Sequence, residues 1–198
     1  MAKVYGLTGS IGMGKSAVAA MLKGLNIPVY DADAEVHRLQ GPDGAALPAI
    51  EARFPGTTGP TGLDRAKLAQ IVLAHPHERK ALERIIHPML RAGREEFLRR
   101  HRSRPLVVLD IPLLFETHGE KLLDGVIVVT APAWKQRKRV LARPGMTEGK
   151  FRKILALQLP DAQKRQKADY IVDTGTTFHR TREQVRALAA CLLARAGG

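Results

Sequence analysis

Gly9-Ser10-Ile11-Gly12-Met13-Gly14-Lys15-Ser16 puts a lysine and a hydroxyl directly behind a glycine-punctuated turn. The order G-x-x-x-x-G-K-S suits the grip on a polyphosphate. Glycines let the backbone approach the anion, and exposed N–H groups at a helix start form a concave nest for it. Lys15 can neutralise the β- and γ-phosphates, and the Ser16 hydroxyl is a ligand for Mg²⁺. Four carboxylates are candidates for further chemistry. Asp31 and Asp33, two residues apart, are candidate metal-shell and base residues. Either one can instead be the N-cap of a following helix. Asp110 ends an apolar run and resembles the acid that supports Mg²⁺ in phosphate-loop proteins. Glu116 closes the rigid apolar stretch Pro112-Leu113-Leu114-Phe115 and faces metal, substrate or solvent. Arg139 and Arg143 have the i,i+4 spacing of one helix face, suited to stabilising a phosphoryl group in transfer. His87, beside Pro88, reads first as a structural hydrogen-bonder, and no histidine has zinc-ligand spacing.

Five short apolar runs read as the strands that position these groups: Val4 to Thr8, Pro28 to Asp31, Leu106 to Asp110, Val126 to Thr130, and Tyr170 to Asp173. Continuous rather than alternating hydrophobicity suits a parallel sheet buried on both faces. Helical patterns lie between them, so the fold class is α/β, doubly wound, with a mostly parallel five-stranded sheet. The phosphate loop then lies between a strand and a helix from Ser16 to Leu25, its confirming context. The span from Val36 to Arg104 is too long for one crossover. Leu68, Ile71, Val72, Leu82, Ile85 and Ile86 recur there at helical spacing, and residues 56–62 read as a loop. This predicts a helical lobe over about 36–104, inserted into a core of about 1–35, 105–132 and 168–198. Helices over 133–143 and 147–159 meet at Pro144-Gly145. Near the C-terminus, Thr181-Arg182-Glu183-Gln184 fits a capping box, ahead of an apolar stripe through Val185, Leu188 and Leu192.

Composition narrows the partners. The chain has 198 residues, 44% hydrophobic and 26% charged, and no apolar run approaches membrane-spanning length. Cys191 is the single cysteine, which excludes an internal disulfide and leaves cytoplasmic residence as the default. The formal net charge is +13, and residues 133–167 hold eleven Lys and Arg against Glu148 and Asp161 alone. That balance favours a polyanion. Aromatics are 5% of the chain, too few for stacking platforms, so the expectation is nucleotide phosphates rather than nucleic acid. A nucleic-acid-stimulated NTPase, a nucleotide-dependent switch and another small-molecule kinase stand as rival readings.

With these pieces placed, the chain resembles the dephospho-CoA kinase family nearly end to end. The resemblance rests on residues 7–16, Asp31-Ala32-Asp33, Leu63-Asp64-Arg65, Ile86-His87-Pro88, 110–116, Gln136 with Arg139 and Arg143, Gln158-Leu159-Pro160, and 168–173. It implies ATP-dependent phosphorylation of the ribose 3′-hydroxyl of dephospho-CoA, the last step of coenzyme A synthesis. It also implies a CoA-binding lobe and a lid over about 133–167. Carried over, Asp33 is the base, with Lys15 and Arg139 as the other catalytic groups. Ser10, Ile11, Gly12, Met13, Gly14, Lys15, Ser16 and Ala17, with Arg139 and Arg143, hold ATP. Asp33, Arg65, His87, Pro112, Leu113 and Glu116 are the substrate-side candidates. Ser16, with Asp33 through water, is the Mg²⁺ set. ATP and dephospho-CoA are then the partners, with no nucleic acid or membrane, and a monomer is expected. Three positions depart from the pattern: Ala17 for Thr, Pro144 for Asp and Thr174 for Asn. Thr174 offers a hydroxyl where the resemblance implies a side-chain amide.

Overall fold

In the computed structural model, which describes residues 2–197, the chain divides into two compact units. One comprises the residues up to Tyr30 together with those from His101 onward, and the other is Asp31–Arg100.

The first unit is built on β1 (Lys3–Thr8), the central strand. The other strands of its sheet are β2 (Val29–Asp31), β5 (Leu106–Asp110), β6 (Gly125–Thr130) and β7 (Tyr170–Asp173), in the order β2-β5-β1-β6-β7. β1 pairs in parallel with β5 and β6, and β6 with β7. Every residue of β5 and β6 is buried, which is why their sequences show apolar runs without alternation. Helices α1 (Lys15–Gly24) and α9 (Phe178–Ala196) supply Val18, Leu22, Val185 and Leu192 to one core, where they meet Leu7, Val108, Ile127 and Val129. Each such fully buried side chain contributes about 1.5–3 kcal/mol relative to exposure. Leu114, Phe115, Val126 and Val128 form a second cluster, against which Leu159 and Ala168 pack. Three helices lie between β6 and β7: α6 (Ala133–Leu141), α7 (Glu148–Ala156) and the short α8 (Asp161–Gln166), which has no clear period in the sequence.

The second unit contains α2 (Ala32–Gln40), α3 (Leu47–Arg53), the strands β3 (Thr58–Gly59) and β4 (Gly62–Leu63), α4 (Arg65–Ala74) and α5 (Pro76–Arg100). Leu39, Ile50, Phe54, Leu68 and Ile86 are its core, with Ile71, Val72, Leu82 and Ile85 packed against them. α5 runs for 25 residues and continues through Pro88. No helix among the described residues is long and apolar enough to cross a membrane.

Three local expectations are corrected. Residues 56–62 are not all loop, because β3 and β4 pair as an antiparallel hairpin. The Glu51 carboxylate of α3 accepts from Gly56 N (2.6 Å), Thr58 N (3.0 Å) and Thr58 Oγ1 (2.7 Å), a constraint that two-residue strands cannot announce by alternation. α9 starts at Phe178 with Thr177 as its cap, whose hydroxyl accepts from Arg180 N at 3.2 Å. Thr181 is therefore inside the helix, where its hydroxyl donates to Asp173 O at 3.3 Å. α6 ends at Leu141, so Arg143 does not share a helix face with Arg139. Pro144 disfavours helical geometry at the residue before it.

Candidate active site

β1 delivers the chain at its carboxyl end into the loop 9–14, and Gly14 is the N-cap of α1. Gly12 and Gly14 adopt φ of 77° and 90°, a left-handed region that penalises any side chain. A Cβ on Gly14 would also lie 2.9 Å from Thr174 Oγ1. Met13 N donates to Ser10 O at 3.1 Å, which closes the turn. Among the described residues the N–H groups of Gly12, Gly14, Lys15 and Ser16 have no acceptor. Unpartnered N–H groups in sequence at a helix start are an anion site by geometry and by helix dipole.

Lys15 forms an ion pair with Asp110, whose side chain is 3% exposed. The register explains the meeting, since Leu7 near the end of β1 lies beside Asp110 at the end of β5. Ser16 is exposed in the first turn of α1, and its hydroxyl has no partner among the described residues. An unpartnered hydroxyl oxygen beside an anion nest fits Mg²⁺, which takes few protein ligands and keeps waters and phosphate oxygens.

Arg139, on α6, reaches the same loop. Its Nη1 donates to Thr174 Oγ1 (2.9 Å) and Gly12 O (3.4 Å), and its Nη2 to Thr174 O (2.8 Å). Arg143 is exposed, and its guanidinium has no partner among the described residues. Pro112 continues the chain from Asp110, and its carbonyl accepts from Thr8 Oγ1 at 3.1 Å, while Leu113 is 40% exposed.

Glu116 is turned toward its own protein. Its Oε1 accepts from Leu159 N at 2.7 Å and lies 2.9 Å from Nζ of Lys164, a lysine with no exposed side chain. Burial pushes the Glu116 carboxyl up. The Lys164 ammonium and the Leu159 N–H outweigh that and hold it below the ordinary carboxylate value.

In the second unit, Asp31 is the N-cap of α2 and accepts from Ala34 N at 2.9 Å. Asp33, in the first turn of α2, is exposed, and its carboxylate makes no hydrogen bond or ion pair among the described residues. Arg65 opens α4 and donates from Nη2 to His37 Nδ1 on α2. His87 is exposed on α5 beside a shallow groove whose walls include Arg84 and Arg91.

Sequence reasoning singled out Gln136, Gln158 and Thr174 as motif positions but assigned them no part in the loop. The Gln136 side chain donates to Ile11 O (2.8 Å), that of Gln158 accepts from Ile11 N (3.1 Å), and the Thr174 hydroxyl donates to Met13 O (2.6 Å). Buried polar side chains are a signal for such work, but burial is not readable from these segments before folding.

A parallel sheet whose central strand delivers a glycine-lysine-serine loop to a helix start, with an arginine held against that loop, defines a phosphate-loop kinase. The family described as dephospho-CoA kinase (CoaE) matches residues 3–179. A dephospho-CoA kinase of Novosphingobium aromaticivorans is 58% identical over 189 residues, 96% of this chain and 94% of that protein. TT1252 from Thermus thermophilus superposes with a TM-score of 0.83 at 37% identity, covering 96% of both chains. Dephospho-CoA kinase from Campylobacter jejuni shares the fold, with a TM-score of 0.68 at 23% identity over 96% of this chain and 97% of that one. The chain belongs to the dephospho-CoA kinase family. Its reaction is the phosphorylation of dephospho-CoA, the final step of coenzyme A biosynthesis, with ATP as phosphoryl donor.

Proposed function

We propose that the ribose 3′-hydroxyl of dephospho-CoA attacks the γ-phosphorus of ATP in line. The bond from that phosphorus to the ADP oxygen breaks, and the hydroxyl proton passes to Asp33. The observation that carries the nucleotide half of this reading is the row of unpartnered N–H groups at Gly12, Gly14, Lys15 and Ser16. Ser10 to Ala17 hold the polyphosphate, with the hydroxyl that Thr would offer at position 17 missing. Lys15, kept in place by Asp110, meets the β- and γ-phosphates. Arg139 has donors left after its bonds to Thr174 and Gly12, and these stabilise charge developing on the transferred group. Arg143 joins the phosphates from the lid formed by 133–167.

The exposed carboxylate of Asp33 supports its role as base, since no described residue competes for its lone pairs. Arg65 and His87 bind the phosphate-bearing substrate in the lobe, and Pro112 and Leu113 offer it an apolar wall. Ser16 holds Mg²⁺, with Asp33 through water. Bound there, the ion would supply positive charge that offsets the charge on the phosphates. The enzyme works as a cytoplasmic monomer.

The test is ADP release with ATP and Mg²⁺, with and without dephospho-CoA, the product identified by mass and its phosphate located by fragmentation. Release that depends on dephospho-CoA and yields 3′-phosphorylated product is expected. Phosphate at another position, or ADP release indifferent to dephospho-CoA, would overturn the proposal.

A further inference from the structure

An anion nest works only if its N–H groups point inward, and a planar trans peptide sets that direction through the carbonyl on its other side. Within each peptide the C=O of one residue and the N–H of the next point in opposite directions. The Ile11 carbonyl therefore aims the Gly12 N–H, and the Met13 carbonyl aims the Gly14 N–H. Both carbonyls are taken by side chains from outside the loop. Gln136 Nε2 donates to Ile11 O at 2.8 Å, and Thr174 Oγ1 donates to Met13 O at 2.6 Å. The peptide before Ile11 is held as well, because Ile11 N donates to Gln158 Oε1 at 3.1 Å. Gln136 and Thr174 are 6% and 5% exposed, so water does not replace them cheaply.

We propose that Gln136, Gln158 and Thr174 are positioning residues for ATP, which hold the backbone of residues 11–13 so that the Gly12 and Gly14 N–H groups face the phosphates. Thr174 does a second task. The same hydroxyl accepts from Arg139 Nη1 at 2.9 Å, so one oxygen sets both the loop and the arginine beside it. The two glutamines come from α6 and from the segment between α7 and α8, the two arms of the basic region. The inference rests on the phosphate-binding reading above.

The experiment is calorimetric binding of ATP and, separately, of inorganic tripolyphosphate to the whole protein and to Thr174→Val, Thr174→Ser, Gln136→Met and Gln158→Met. Melting temperature and the KM for dephospho-CoA are measured alongside. Thr174→Val and each glutamine variant should weaken both ligands by roughly tenfold, the effect of one buried polar group losing its partner. Thr174→Ser keeps the hydroxyl and should bind within about twofold of the parent. The KM for dephospho-CoA should stay put. Parent-like binding by Thr174→Val would overturn the proposal. Weakening of ATP without tripolyphosphate would also overturn it, since Thr174 would then read the nucleoside. Equal loss in Thr174→Ser and Thr174→Val, with a lowered melting temperature in both, would show a packing role instead. Failure of the parent to bind either ligand would reject the phosphate-site reading itself.

Discussion

Removing the carboxylate of Glu116 should destabilise the protein more than any change on its charged surface. Glu116→Gln keeps an oxygen for the Leu159 N–H, but the Lys164 ammonium, fully buried and with no other partner among the described residues, loses its counter-charge. Breaking a buried pair from one side costs about 3–5 kcal/mol. At about 2–4 °C per kcal/mol for a chain of this length, the melting temperature should fall by about 6–20 °C. Lys164→Met should cost less, because the Glu116 side chain is 16% exposed and retains the Leu159 N–H. Glu116→Leu with Lys164→Met removes both charges and should recover most of the loss. Because the folded carboxyl is held below its ordinary value, its contribution is fully present above the unfolded pKa. It is lost as pH falls through the lowered folded pKa, so the gap between parent and Glu116→Gln should narrow on acidification below about pH 4.5. Thermal unfolding followed from pH 7 to pH 3 reads both quantities. A Glu116→Gln melting point within about 2 °C of the parent at pH 7, or a gap that widens in acid, would refute the reasoning.

Asp33→Asn should lower kcat by about 10²–10⁴ while calorimetric ATP affinity survives, and near-normal turnover would remove Asp33 from the base role. Gly12→Ala forces a side chain into a left-handed residue, into collision with Val140 and to 3.0 Å from Gln136 O. Strain and overpacking together should cost about 2–5 kcal/mol in a melting experiment, with ATP binding lost, and an undisturbed melt would show that the loop can relax. Arg139→Lys keeps the charge but cannot span Thr174 Oγ1 and Thr174 O together. Single-turnover rates should fall by about a hundredfold, whereas a rate equal to the parent's would show that charge alone suffices.

Much of this protein is written in short, local patterns. The phosphate loop is legible because its chemistry needs consecutive residues: glycines at φ of 77° and 90°, then a lysine and a hydroxyl at a helix start. The five strands are legible because burial on both faces leaves continuous apolar runs such as Leu106 to Leu109. Asp31 and Asp33 stand out as a pair, but which of them caps α2 depends on where the helix begins, and only the folded backbone decides that.

The tertiary structure alone decided the partners of residues far apart in the chain. Lys15 meets Asp110 across 95 positions because β1 and β5 are neighbours in register. Glu116, with no local sign of a partner, faces Lys164 and Leu159 N rather than solvent. Gln136, Gln158 and Thr174 reach the loop across 125, 147 and 161 positions. A sequence pattern records what each residue can offer as donor, acceptor, charge or apolar surface. Which offers meet is set by strand order and helix packing, where burial makes an unmatched polar group costly and so selects the partner.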